Sequence, residues 1–343
     1  MSYRAGIIGC GRIGCAFDDD PRRGYVSTHA GAYTRTPGIE LVALSDIDDA
    51  RLKSYGDKFN VPGRYVDYRR MLETEKLDAV SVCTWDRAHL EIVRAAVEHR
   101  VKAIFCEKPI ADSLESADEM VRLCAENDVL LMIDHQRRFH PFHQQLAKFL
   151  RDGGLGRIQQ VTCYYTAGAA NTGSHLFDLL RFYLGDVTWV QGRLSGNASP
   201  NPSDPNIDGW IGFENGSVAA IQACDVKAYL IFEIDLLGTA GRFRIVSSGF
   251  DASYEEVRDS ERFSGYKELA GAPMPVSLQG PHEFMLFGVA HLVDCLRTGQ
   301  RPISSGEDGR AALEVIRALQ DSAQNGSERI DLPLAGILNG RLN

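Results

Sequence analysis

No apolar run in this 343-residue sequence approaches the ~20 residues that cross a bilayer; stretches such as Val129–Ile133 are among the longest, so no membrane-spanning segment is expected. Blocks of lysine or arginine are missing too, and the formal net charge is -9. That leaves no basic surface to track a phosphate backbone and excludes nucleic acid as a partner. The eight cysteines (Cys10, Cys15, Cys83, Cys106, Cys124, Cys163, Cys224, Cys295) never form C-x-x-C, so buried reduced thiols are expected. Around His135, His140 and His143 no nearby acidic residue completes a familiar ligand set, and no metal is expected. Nor is there a signal peptide's h-region or cleavage site. Met1–Arg4 lead directly into Ala5–Ile8, the outline of a first strand, and a cytoplasmic location is expected.

The length exceeds what one ordinary core supports, so two domains are expected, residues 1–134 and 135–343. In the first, apolar runs at Ala5–Ile8, Leu41–Ser45, Ala79–Cys83, Ala103–Cys106 and Val129–Ile133 alternate with helical spacing at Ala50–Phe59, Ala88–His99 and Leu114–Glu126. Strand and helix in repetition predict a doubly wound parallel sheet covered on both faces. In the second, Ile158–Thr166, Val187–Leu194, Gly209–Phe213, Ser217–Ala223, Leu230–Leu236 and Arg242–Val246 succeed one another with no helix after Leu184. They predict an α/β domain with a large, mostly antiparallel sheet. Helices are expected at Glu283–Arg297 and Asp308–Ala323, with a C-terminal helix packing back on the first domain, and Asn197–Asn206 reads as one long loop.

Gly9-Cys10-Gly11-Arg12-Ile13-Gly14 follows the first strand and opens a helix, the context in which G-x-G-x-x-G binds a dinucleotide. The first glycine permits a tight turn, the second lets the backbone approach a pyrophosphate, and the third lets helix pack closely on strand. Amides at the helix start then face the phosphates. Asp46 ends the second strand, where a carboxylate accepts from the adenosine ribose hydroxyls. It lies beyond the usual ~20 residues because Phe17–Thr28 reads as a charged insertion before a helix resumes at His29–Tyr33. No arginine follows Asp46 directly, so NAD is expected rather than NADP.

A second stretch, Asn171-Thr172-Gly173-Ser174-His175, precedes the amphipathic run Leu176–Leu184. It reads either as an Asn171 N-cap followed by a surface histidine or as half of an active site, since spacing i to i+4 places both side chains on one side of the helix start.

The segments "GCGRIG", "LVALSDID", "CTWDRAHLEIVRAAVEHRVKAIFCEKPIA", "GSHLFDLLRFYLGD" and "RPISSGEDGRAALEVIRALQDSA" stand in the order and spacing of the Gfo/Idh/MocA oxidoreductases, which the chain resembles from Tyr3 to about Leu332. Glu107-Lys108-Pro109 combined with Gly173-x-His175-x-x-Asp178 is more specific than either motif alone. The resemblance implies a Rossmann domain followed by a sheet-rich domain whose open face makes a dimer or tetramer. It also implies NAD(P)-dependent oxidation or reduction at a secondary alcohol of a sugar, polyol or related acid. It places the catalytic roles on Lys108 and His175, cofactor contacts on Gly9, Gly11, Arg12, Ile13, Gly14, Asp46, Thr84, His89, Glu107 and Lys108, and substrate contacts on Lys108, Arg138, Asn171 and His175. It further suggests a cis bond before Pro109. The chain departs from the pattern at Asn171, where the family usually has aspartate, and at Trp85-Asp86, where proline and asparagine are common.

Removing hydride from a carbinol carbon requires that the hydroxyl proton leave as well, so a base and a donor must meet at that oxygen. An imidazole at position 175, with an ordinary pKa of ~6.5, suits the first role. An ammonium at position 108 suits the second. Asn171 can bind a substrate hydroxyl or cap the helix, Arg138 can reach substrate or form a structural salt bridge, and Trp85 can wall a nicotinamide pocket or join the core. Asp178 and Arg181 are expected to fix the packing of their helix. Substrate specificity is expected in Phe17–Thr28, Tyr164–Asn171 and Asn197–Asn206. Two other readings use the same parts: a retained NAD serving epimerisation or elimination without net redox change, and a sugar or nucleotide sensor without catalysis. Keeping both Lys108 and His175 argues against the sensor.

Overall fold

A computed structural model describes residues 2–277 and 283–334. It divides into two compact units, Met1–His140 with Pro281–Ala311, and Pro141–Gly280 with Ala312–Asn343. The expected second domain ran to residue 343, of which 335–343 lie outside the described residues.

The first unit is built on six parallel strands, β1 (Tyr3–Ile8), β2 (Ile39–Ser45), β3 (Gly63–Tyr65), β4 (Ala79–Val82), β5 (Ala103–Cys106) and β6 (Leu130–Ile133). Their order, β3-β2-β1-β4-β5-β6, reverses direction between β1 and β4, the switch point where doubly wound sheets bind ligands at their carboxyl ends. β4 and β5 are only four residues long and wholly buried, as expected of strands covered on both faces. The crossover helices are α1 (His29–Arg35), α2 (Asp49–Lys58), α3 (Tyr68–Glu75), α4 (His89–Glu98) and α5 (Leu114–Glu126). β3 and α3 escape sequence reading because the strand is three residues long and the helix buries only Met71 and Leu72.

In the second unit, α6 (Pro141–Arg151) leads to β7 (Ile158–Thr166), α7 (Ser174–Leu184) and a run of strands. These are β8 (Val187–Leu194), β9 (Ile207–Phe213), β10 (Val218–Cys224), β11 (Glu233–Gly238), β12 (Gly241–Val246), β13 (Asp251–Asp259) and β14 (Lys267–Gly271). Farther along lie α8 (Phe284–Thr298), α9 (Gly306–Gln324) and β15 (Ile330–Asp331). The nine strands run β14-β13-β12-β11-β7-β10-β9-β8-β15, antiparallel except for β7 beside β10. β11 and β12 alternate strictly between buried and half-buried positions, so one face is core and the other open. α7 supplies Leu176, Phe177, Leu179 and Leu180 to that core, each worth about 1.5–3 kcal/mol when fully buried. β13 and β14 went unread because half of their residues are charged and almost all lie half-buried or exposed. α6 went unread although Pro141 stands at its first position and Phe142 and Leu146 share its buried face. α8 belongs to the core of the first unit, where Met285, Val289 and Leu292 join Ala5, Ala30 and Phe105.

Candidate active site

Every loop that follows a strand of the parallel sheet at the switch point carries one of the expected site residues. Gly9 follows β1, Asp46 β2, Thr84 β4, and Glu107 and Lys108 β5. The three glycines differ in their surroundings. Gly9 has φ 99°, and a Cβ there would stand 2.5 Å from the Cys83 carbonyl oxygen. A Cβ on Gly14 would collide with the Gly9 carbonyl oxygen, whereas one on Gly11 would meet no atom within 4 Å. The cradle is therefore tight behind and open in front, the shape a pyrophosphate needs, and the residues present fit the dinucleotide.

The glycine motif does not open a continuous helix. A single turn forms, with the Cys15 amide donating to the Gly11 carbonyl, and residues 17–28 then loop out. The helix resumes at α1 on the carbonyls left behind: His29 N–H donates to Ile13 O at 3.1 Å and Ala30 N–H to Gly14 O at 3.0 Å. Asp18 closes the insertion by accepting from Ser27 N–H at 2.7 Å. Arg12 is exposed, with its guanidinium over the Phe17 ring, and Ile13 is half-buried in the turn.

Asp46 is buried, and one carboxylate oxygen accepts from Cys10 N–H at 2.7 Å while the other accepts from Asp48 N–H at 2.9 Å. Arg51, in the first turn of α2, reaches back to within 3.2 Å of it. Reading only the residues next to Asp46 missed this partner; the i to i+5 relation becomes visible only once a helix is known to start between them.

His89 is buried, with its two ring nitrogens 3.0 Å from Ile110 O and 3.2 Å from Thr84 O. It joins the loops after β4 and β5. Burial holds its imidazole below the ordinary value, so it stays neutral. Glu107 likewise turns inward, onto His29 at 3.0 Å, and Lys108 beside it is half-buried, joined to Pro109 by a cis bond. Trp85 is 77 % exposed, so it is not core. Arg138 is buried and paired with Asp308 at 3.0 Å and the Ile303 carbonyl at 3.2 Å, which is the structural salt bridge of the two readings above.

In the second unit Asn171 is exposed and His175 half-buried. Asn171 does not cap α7. It lies in a wide π-type turn, Ala169–Gly173, that runs into the helix, and Gly173 is the residue before the first helical position. The turn is held by a carboxylate: Asp204 accepts from Ala170 N–H at 2.7 Å and Asn171 N–H at 2.9 Å. Asn206 secures its entry by accepting from Gly168 N–H at 2.8 Å. Sequence reading missed Asp204 and Asn206 because they sit in a Pro/Asn/Ser-rich segment with no local pattern. Asp178 is buried on α7, and Arg181 pairs with Asp186.

Residues 3–135 match the oxidoreductase family's NAD-binding Rossmann fold, and residues 150–332 match the same family's C-terminal alpha/beta domain. The chain belongs to the Gfo/Idh/MocA oxidoreductase family. It is 31% identical to the myo-inositol 2-dehydrogenase of Thermotoga maritima, over 94% of this chain and 96% of the relative. It is 29% identical to a D-apiose dehydrogenase of Paraburkholderia graminis, over 92% of this chain and 87% of that one. Among solved structures, the WlbA dehydrogenase of Bordetella pertussis in complex with NADH and UDP-GlcNAcA is similar in fold, with a TM-score of 0.79 at 21% identity over 97% of this chain and 98% of that one.

Proposed function

We propose that the protein oxidises a secondary alcohol of a sugar, polyol or sugar derivative with NAD, with Lys108 and His175 acting on the same hydroxyl. The observation that carries this reading is Lys108 itself, half-buried just past the carboxyl end of β5, at the same edge of the parallel sheet as the glycine turn after β1, where the space over Gly11 is open. The named relatives act on apiose and inositols, which supports a polyhydroxylated substrate. NAD, when bound, supplies the hydride acceptor. The ammonium of Lys108 donates to the substrate oxygen and steadies its growing negative charge. The imidazole of His175 takes the hydroxyl proton, and Asn171, a neutral side chain, anchors a neighbouring hydroxyl through its amide. A screen of NAD reduction across sugars, inositols, sugar acids and nucleotide sugars tests the reading: one class yields NADH. Saturable binding across the panel without reduction contradicts it.

Asp46 sets the choice of NAD over NADP, because a buried carboxylate repels a 2'-phosphate. Asp46→Asn removes the charge and keeps one acceptor for the backbone, with Arg51 left to meet the phosphate. The ratio of kcat/KM for NAD to that for NADP is expected to fall about 10- to 100-fold, the worth of a charged hydrogen bond. An unchanged ratio places discrimination elsewhere.

We also propose a cytoplasmic homo-oligomer. Among the described residues no helix is long and apolar enough to cross a membrane, and all eight cysteines are free thiols, as in a reducing compartment. The open face of the nine-stranded sheet exposes Tyr164 and Trp210 around a shallow hollow of about 540 Å³. Such an apolar patch suits a second copy. Trp210→Glu is expected to halve the mass measured by light scattering or reduce it further; an unchanged mass rules out this face.

A further inference from the structure

Behind Lys108 the first unit buries a polar chain that crosses four elements. Tyr33 OH on α1 lies 2.8 Å from Ser81 Oγ on β4, Ser81 Oγ lies 2.9 Å from His29 Nδ1, and His29 Nε2 lies 3.0 Å from Glu107 Oε1. Asp134, just past β6, brings one carboxyl oxygen to 4.0 Å from His29 Nε2, the same ring nitrogen that meets Glu107. His29, Glu107 and Asp134 offer ligand atoms all within 4.8 Å of one another, and all three side chains are buried.

Two buried carboxyl groups this close do not both ionise readily, and the neutralising charge is a proton or a cation. The remaining neighbours decide which. Cys83 and Cys106 are buried thiols held protonated by desolvation, Phe105 packs its ring at 4.7 Å from His29, and among the described residues the cationic group that acts on both carboxyls is Lys108. Burial pushes Glu107 and Asp134 upward, Lys108 opposes it, and burial holds the His29 imidazole down to about 4. A neutral imidazole facing a carboxylate donates from Nε2 and accepts at Nδ1 from the Ser81 hydroxyl, which accepts in turn from Tyr33.

We propose that His29 is a positioning residue for Lys108: by donating to Glu107 it holds the Glu107–Asp134 pair as a unit with one proton and one negative charge, the counter-charge that keeps the Lys108 amine protonated and in place. This rests on the role given to Lys108 above. His29 thereby links the helix that resumes after the insertion to the catalytic turn after β5.

The test has two arms. Infrared spectra of the purified protein at neutral pH are expected to show a carboxylic-acid C=O band that disappears in Asp134→Asn. In the kinetic arm, His29→Leu removes the donor to Glu107, the pair takes a second proton, and Lys108 loses its counter-charge. The alkaline limb of kcat is expected to move about one pH unit toward neutral and kcat to fall about tenfold, with KM for NAD unchanged. His29→Gln, which can still donate to Glu107 and accept from Ser81, restores the limb. Absence of the infrared band, a stoichiometric divalent metal in the purified protein, or equal losses in both variants with a fixed limb overturns the proposal. The infrared arm and His29→Gln decide the matter where His29→Leu does not fold. Because the infrared arm needs no substrate, an intact band without turnover supports the pair and counts against the proposed activity alone.

Discussion

Replacing His175 with alanine is expected to lower kcat by about 10²- to 10⁴-fold, the usual worth of a positioned general base, while leaving NAD affinity unchanged. The two effects separate because His175 and the dinucleotide cradle belong to different compact units: Gly9, Gly11, Gly14, Asp46 and Lys108 lie in the first and His175 in the second. The fold tolerates the change. His175 is the second residue of α7 and only half-buried, and the helix is held instead by Leu176, Phe177, Leu179 and Leu180, all fully buried. Steady-state rates combined with calorimetric titration of NAD make the comparison. A kcat within a few-fold of the parent, or an NAD affinity that falls in step with it, removes His175 from the chemistry.

Gly14→Ala is expected to have the second large effect, this time on folding and cofactor binding together. The added methyl would occupy the space of the Gly9 carbonyl oxygen and approach the Cys83 Cβ at 3.4 Å. Neither can retreat cheaply: Gly9 is fixed in a positive-φ turn, and its amide donates to Ser45 O at 2.8 Å. Overpacking costs about 1–3 kcal/mol and more where, as here, the neighbour is backbone, and relief of the clash distorts the turn that faces the pyrophosphate. Gly11→Ala is the matched comparison. With no atom within 4 Å of its methyl it should melt with the parent protein, yet it places carbon where the phosphates approach, so NAD binding weakens without loss of stability. Equal melting temperatures for the two variants contradict this assignment of the glycines.

The parallel sheet was legible in the sequence because buried strands such as Ala103–Cys106 are uninterrupted apolar runs, and the glycine motif fixed where the first one ends. The antiparallel sheet was legible through alternation in strands such as Arg242–Val246, and not in Asp251–Asp259, where charge hides the period. Within the site, residues in a contiguous motif could be named, and those joined only by the fold could not. Asp204 lies 33 positions from the Asn171 amide it accepts, and His29 lies 78 from Glu107. Neither separation leaves a periodic trace. The protein partners of His89 and Glu107 were not legible either: His89 meets the Ile110 and Thr84 carbonyls and Glu107 meets His29, a matter of backbone direction at a strand end that composition does not encode.

We propose that one substrate hydroxyl meets the Lys108 amine and the His175 imidazole while hydride passes from its carbon to NAD. Single-turnover transfer of deuterium from a carbinol-deuterated polyol into NADH, measured in the parent and in Lys108→Met and His175→Ala, tests it most directly. The account predicts label in NADH for the parent and loss of about two orders of magnitude or more in the rate for each variant, with the double variant no worse than the poorer single one, since the two groups act on one oxygen. Label transferred at the parental rate after either substitution, or losses that multiply in the double variant, would contradict it.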